Sequence, residues 1–346
     1  KQPSVAEIKA HRPDPEIVRG CTSPGSKAFN ILHSWGANVA RKWLRFKPSR
    51  YKNGLAEYDK NYWDAQMKKL EEYLKDAKAN RLKVILTADG NVFFSDSRES
   101  GWKTPGLADH MAKFWSDVVT RLQPYRDVIY GYDLYNEPLD WSQFPQAPSQ
   151  WRDVAIKTMN AIHKVDPQAW IIFEPGPGGR GYANMQLLPS PYVIYSVHYY
   201  APQEFTHQGI KNIKNTDLKK AEESLNVKYP GIVNGALWDK ERIKKHLEPL
   251  RKFQQQYHVP ILVGEFSVIR WAPKQSAVRY LTDLIDVFEE YQWSWIYHGF
   301  REYQGWSVEH DENFPVNRKH IKAKEETGRA KVLKAGLKKN LTQNQQ

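Results

Sequence analysis

Cysteine is nearly absent from this 346-residue chain: Cys21 stands alone, so no disulfide forms within it and thiols say nothing of its redox compartment. No apolar run approaches the ~18 residues a membrane-spanning helix needs. The 11 histidines make no His-Glu-x-x-His pair or comparable ligand cluster, which argues against a catalytic metal, and no Gly-x-Ser-x-Gly nucleophile elbow is present. The stretch Gly176-Pro177-Gly178-Gly179-Arg180-Gly181 has the spacing of a dinucleotide loop. Its context is wrong, however. Pro175 and Pro177 remove N–H groups that would cradle a pyrophosphate, and Pro189 and Pro191 leave little room for the helix that should follow. A tight strand-to-helix loop is expected instead, and no cofactor. The chain starts at Lys1 rather than Met, as a processed mature chain would, so a secreted or periplasmic location is the expectation, with no signal peptide in the sequence to check it.

Positive charge is plentiful, at a net +12, but its distribution speaks against nucleic acid: residues 318–346 hold nine Lys or Arg against two Glu, and no nucleic-acid-binding signature accompanies them. A basic helix over Lys324–Lys339 with a solvent-facing surface is expected there. Adhesion to an acidic cell wall or polymer stays open. Aromatics are also abundant, with 13 Trp and 19 Tyr, more than packing requires, which suits a cleft that stacks on the flat faces of sugars.

Most of the chain alternates between two periods. Candidate strands are Glu16–Gly20, Gly36–Phe46, Leu82–Ala88, Val128–Tyr135, Trp170–Glu174, Tyr192–His198, Pro260–Ser267 and Trp293–His298. Between them lie apolar stripes at helical spacing, such as Trp63, Met67, Leu70 and Leu74, or Leu107, Met111, Phe114, Val118 and Leu122. Eight candidate strands, mostly alternating with helices, and no linker predict a single (β/α)8 barrel over residues 1–346. Residues 1–30 are proline-broken and read as irregular. Residues 203–239 are too long for an ordinary loop after strand six and are expected to wall the cleft.

Polar residues end many of the strands: Arg41, Asp89, Glu137, Glu174, His198, Glu265 and His298. That is the pattern of a barrel's C-terminal face. Two of these are glutamates in telling positions, Asn136-Glu137-Pro138 and Gly264-Glu265-Phe266. Pro138 has no N–H to extend a ladder, so the chain turns there and leaves Glu137 at the mouth. Two carboxylates at the ends of two buried strands are the parts a retaining glycosidase requires, one as acid/base and one as nucleophile.

With these motifs the chain resembles glycoside hydrolase family 5, the cellulase-like retaining glycosidases, from about Gly36 to Glu302. The resemblance implies that Glu137 is the acid/base and Glu265 the nucleophile, with Asn136 donating to the sugar's 2-hydroxyl. Gly36-Ala37-Asn38-Val39-Ala40-Arg41 resembles the family's second strand, whose arginine keeps the nucleophile ionised. In Val197-His198-Tyr199-Tyr200, His198 would line the subsite and Tyr200 would hydrogen-bond the nucleophile. Two departures stand out. The third strand ends in Asp89 where the family commonly has histidine, and the tryptophan usual on the eighth strand is either Trp295 or is replaced by His298. The implied activity is cleavage of a β-linked polysaccharide by a monomer, foremost as an endo-β-1,4-glucanase. β-Mannanase, exo-acting β-glucosidase and a non-catalytic glycan-binding barrel are the alternatives.

Overall fold

The computed structural model describes residues 4–210, 222–223, 225–273, 275–315, 317 and 319–343. Eight parallel strands close into a barrel: β1 (Arg19–Thr22), β2 (Val39–Leu44), β3 (Lys83–Ala88), β4 (Ile129–Asp133), β5 (Ile171–Phe173), β6 (Val193–Tyr199), β7 (Ile261–Phe266) and β8 (Ser294–Tyr297). Each pairs with its neighbour in sequence, and β8 returns to β1 through Arg19 opposite Trp295. Helices between strands cover the outside, as is usual for parallel crossovers, except between β5 and β6: the strand-to-helix loop expected after Glu174 is instead a connection over residues 174–192 that contains turns but no helix.

The barrel interior is filled by Val18, Val39, Ile85, Tyr130, Ile172, Ile194, Leu262 and Ile296, one from each strand or the residue just before it. Because side chains alternate across a strand, these residues fix which neighbours point inward. Two positions on from Val39, Ile172 and Ile296 lie Arg41, Glu174 and His298; Ser196 and His198 continue inward from Ile194. All gather at the C-terminal mouth. Odd-numbered neighbours on β8, including Trp293, Trp295 and Tyr297, point outward into the layer shared with the helices.

Helix starts follow local hydrogen-bond chemistry. Asp59 accepts from the Tyr62 N–H to open Lys60–Ala79, and Asp239 accepts from the Arg242 N–H to open Lys240–Tyr257. The first 30 residues are more ordered than their prolines suggest. Ser4 and Glu7 form a reciprocal capping box on a helix over Val5–Ala10, and β1 begins at Arg19, three residues later than expected. At the other end the helix is shorter than Lys324–Lys339. It runs Gly328–Leu337, because the Thr327 hydroxyl caps it by accepting from the Ala330 N–H. It is also not simply a solvent-facing surface: Arg329 is fully buried and donates to the carbonyls of Ser307 (2.7 Å) and His310 (2.6 Å).

Of the long segment after β6, residues 211–221 and 224 lie outside the described residues. The remainder includes a short helix, Gln203–Thr206, and an antiparallel hairpin pairing Gly231–Val233 with Ala236–Trp238.

Candidate active site

Glu265 reaches the interior through an irregularity in β7. Counting in twos from inward Leu262 would place Gly264 inside and Glu265 outside. The pairing with β6 shifts between Val263 and Glu265, so that Val263 is opposite Val197 but Glu265 is opposite His198. This bulge reverses the alternation, turning Glu265 in and Phe266 out against Phe288 and Trp295. Glycine is required at the bulge, since a Cβ on Gly264 would lie 2.7 Å from Ser196 Oγ.

Glu137 arrives by a different device. Its φ of 53° is in the left-handed region that non-glycine residues avoid, a conformation costing roughly 1–3 kcal/mol. The buried carboxylate of Glu174 secures it by accepting the Glu137 N–H at 3.0 Å. His198 then joins the elements: its Nδ1 is 2.8 Å from Glu137 Oε1 and 3.7 Å from Glu265 Oε2, and its Nε2 is 3.1 Å from Glu174 Oε1. The glycine-rich loop after β5 braces this histidine, with the Gly179 carbonyl accepting the His198 N–H at 2.8 Å and Tyr182 donating to the His198 carbonyl at 2.7 Å.

Arg41 lies fully buried beneath both glutamates. It donates to Glu265 Oε1 (2.5 Å), Asp133 Oδ2 (2.8 Å) and Asn136 Oδ1 (2.9 Å). With its Oδ1 engaged, Asn136 is oriented with its amide nitrogen as donor. Tyr200 donates to Glu265 Oε2 at 2.9 Å, and His298 Nδ1 is 3.4 Å from the same oxygen.

These contacts set the ionisation. Burial by itself would raise the Glu265 pKa, but His298, His198, Arg41 and the Tyr200 hydrogen bond outweigh it and hold the carboxyl below its ordinary range. Burial, followed by the charges of Glu265 and Glu137, pushes the Tyr200 phenol well up, so it remains a donor. His198 moves upward too: burial disfavours its charge, but Glu174 and Glu265 over-compensate and keep it an imidazolium. Burial raises Glu174 to about 7, against the pull of His198.

One oxygen each from Glu137 and Glu265 and a ring nitrogen of His198 lie within 4.8 Å of one another. Three such atoms have the spacing to ligate a metal. The Arg41 guanidinium neutralises Glu265 from the side of its Oε1.

Two cavities open from this centre. One of about 860 Å³ adjoins Glu137, His198 and Tyr200 and is walled by Trp141, Phe144, Arg180 and the hairpin residues Val233, Asn234 and Trp238. The other, about 990 Å³, adjoins His298 and includes Trp43, Phe300 and Glu302.

A family profile, cellulase (glycosyl hydrolase family 5), matches residues 11–303. The chain belongs to this family. Endoglucanase C of Acetivibrio thermocellus is 24% identical over 224 residues, covering 57% of this chain and 61% of that protein. Endoglucanase 3 of Fibrobacter succinogenes is 24% identical over 227 residues, covering 57% of this chain and 33% of that one. The chain thus spans about three fifths or less of the length of these curated relatives. Among solved structures, a hyperthermophilic endo-β-1,4-glucanase in complex with substrate superimposes with a TM-score of 0.68 at 21% identity, over 95% of this chain and 99% of that one. Endoglucanase Cel5A from Thermotoga maritima gives 0.68 at 17% identity, over 92% and 96%. At these identities the likeness is one of fold.

Of the residues singled out from sequence, Glu137, Glu265, Arg41, Asn136, His198, Tyr200 and His298 converge. Trp295 does not, so of the two residues expected to fill the place of the eighth-strand tryptophan only His298 reaches the site. It is 0% exposed, on the outward side of β8, with Nε1 donating to Glu289 at 2.8 Å and the ring packed on Gly336. Inward Ile296 fixes that orientation. Sequence reasoning missed Asp133 as Arg41's closest acidic partner after Glu265, and noted Glu174 without a role. The signal for Asp133 was a lone acid inside an otherwise apolar and aromatic strand. Asp89 is half-buried, its pKa raised by burial against Arg45, Arg41 and Arg98.

Proposed function

We propose that the protein is a retaining endo-β-1,4-glucanase that acts as a monomer outside the cytoplasm, on a polymer too large to import. The observation that carries this reading is the separation of the two carboxylates. An oxygen of Glu137 within 4.8 Å of an oxygen of Glu265 matches the close approach of retaining pairs, whose carboxyl groups are ~5–5.5 Å apart, rather than the ~6.5–9.5 Å of inverting pairs. Glu265, held ionised by Arg41 and the two histidines, attacks the anomeric carbon. Glu137 in its protonated form, oriented by His198 at Oε1, delivers its own proton to the leaving oxygen, then takes one from the water that releases the sugar. Tyr200 fixes the Glu265 oxygen trajectory, and Asn136 donates to the sugar's 2-hydroxyl. No cofactor enters the sequence of steps. Two open cavities flanking the pair favour internal cleavage of a chain that continues on both sides. The described residues Gln203, Glu204 and His207 and the hairpin residues Val233, Asn234 and Trp238 line the Glu137-side cavity, which supports a cleft-wall role for this part of the chain.

The test is reducing-sugar release combined with viscosity, across soluble β-1,4-glucan, mannan, xylan and xyloglucan. The expected result is fastest release on the glucan with an early collapse of viscosity. Fastest release on mannan, or sugar release with viscosity preserved, would replace the reading by its mannanase or exo-acting alternative. Absence of release from every polymer would return the non-catalytic barrel.

A further inference from the structure

The cavity beside Glu137 carries cations that the reaction does not use. Arg98, Arg180 and Arg242 line it, and all three side chains are exposed. Among the described residues none of the three guanidinium groups has a carboxylate within ion-pair distance, although the surface elsewhere pairs its charges freely, as in Lys240–Asp286 and Arg301–Glu309. Apart from Glu137, the acid in the lining is Glu204, and its carboxylate accepts from Asn234 at 2.7 Å. Two of the arginines are spread over aromatic rings, Arg180 over Phe144 (5.5 Å) and Arg242 over Trp238 (5.7 Å). Trp141 and Phe144 are 53% and 44% exposed, unusual for rings of that size.

Rings held open beside unpaired guanidiniums suit a ligand with flat apolar faces and anionic groups projecting from its edges. Neutral glucan supplies the faces without the anions. Because the acid/base donates to the leaving oxygen, the cavity next to Glu137 takes the leaving-group portion of the chain. From this geometry we infer that the enzyme is built for a β-glycan whose leaving-group units carry anionic substituents, carboxylate or phosphate, which Arg98, Arg180 and Arg242 recognise. Guanidinium groups match either oxyanion in a planar fork, and stacking on an aromatic ring reduces what each loses on ordering. The inference rests on the hydrolase reading and extends it to substrate class.

The test compares kcat/KM on three celluloses of matched chain length: neutral hydroxyethyl, carboxymethyl and phosphorylated. It uses the full chain and two variants. One combines Arg98→Ala, Arg180→Ala and Arg242→Ala; the other, Lys324→Gln, Lys331→Gln and Lys338→Gln, removes as many charges from the far C-terminal region. Expected is an anionic-to-neutral ratio above one on the carboxymethyl polymer, the phosphorylated polymer or both, which identifies the anion. That ratio should fall about three- to tenfold in the arginine variant, hold in the lysine variant, and shrink with added salt. Active enzyme with a ratio of one or below, or equal losses in both variants, would overturn the anion site and leave the hydrolase reading standing. No cleavage of any of the three polymers would overturn both.

Discussion

A single guanidinium, that of Arg41, ties β2 to β4 and β7 and sets the charge of the carboxylate it supports. Its removal should be felt twice. In Arg41→Gln, Asp133 and Glu265 lose a buried cation, so thermal or denaturant unfolding should show a loss of about 3–5 kcal/mol. The Glu265 pKa should also rise, moving the acid limb of the kcat/KM profile to higher pH. The sign follows from the depressed carboxyl: its stabilisation is present above the unfolded-state pKa of roughly 4.3 and is lost as pH falls through the lower folded value. An unshifted acid limb in the folded variant would detach Arg41 from the chemistry. The two glutamates should differ in kind. With an aryl glycoside whose phenol leaves unaided, Glu137→Ala should form the glycosyl-enzyme rapidly, stall, and regain turnover with azide, whereas Glu265→Ala should show no burst; the opposite pattern would exchange their roles. Trp295 belongs to stability. Trp295→Phe loses the bond to Glu289 and should cost about 1–3 kcal/mol with an unchanged KM, and a raised KM in a stable variant would return the residue to the cleft. These residues were unequally legible. Arg41 and Glu137 end strands in recognisable motifs, but for Trp295 the resemblance to an eighth-strand tryptophan points inward while the alternation that inward Ile296 imposes turns the ring out.

At the scale of elements, strand ends carry the site, and irregular strands aim it. Seven of the eight strands and most helices were visible as changes of period, because a closed parallel barrel buries both faces of each strand and leaves near-continuous apolar runs; β1, in the proline-broken start, was not placed well. The bulge in β7 was not visible. Strict alternation with Leu262 turns Glu265 outward, and only the shifted partner on β6 reverses it; Gly264 was the one residue that hinted at it. Gly264→Ala isolates this feature. The added methyl would press on Ser196 Oγ at 2.7 Å and on His198 Nε2 at 3.2 Å, so stability should drop by about 1–3 kcal/mol while kcat falls by well over tenfold, as Glu265 swings from its position. A kcat within twofold of the parent would mean the bulge does not aim the nucleophile. Helix boundaries were set by side-chain caps rather than by periodicity, which is why Thr327 shortened the last long helix and Ser4 created one where only irregular chain was expected.

For the molecule as a whole, the barrel gathers at one mouth groups that lie far apart in the chain, from Arg41 to His298, and long connections shape the space around them. Composition anticipated an excess of positive charge without showing where it would matter. The tail holds much of it, but the cations facing the cleft are Arg98, Arg180 and Arg242, from three different loops or elements that no local pattern links. The central claim concerns the reaction proposed for this mouth: two carboxylates spaced as in a retaining pair, one of them held ionised by its neighbours. The anomeric configuration of the first-formed reducing end, followed by proton NMR on a soluble β-1,4-glucan before mutarotation, tests that claim most directly. A β-anomer appearing first is the predicted result, and an α-anomer appearing first would contradict it.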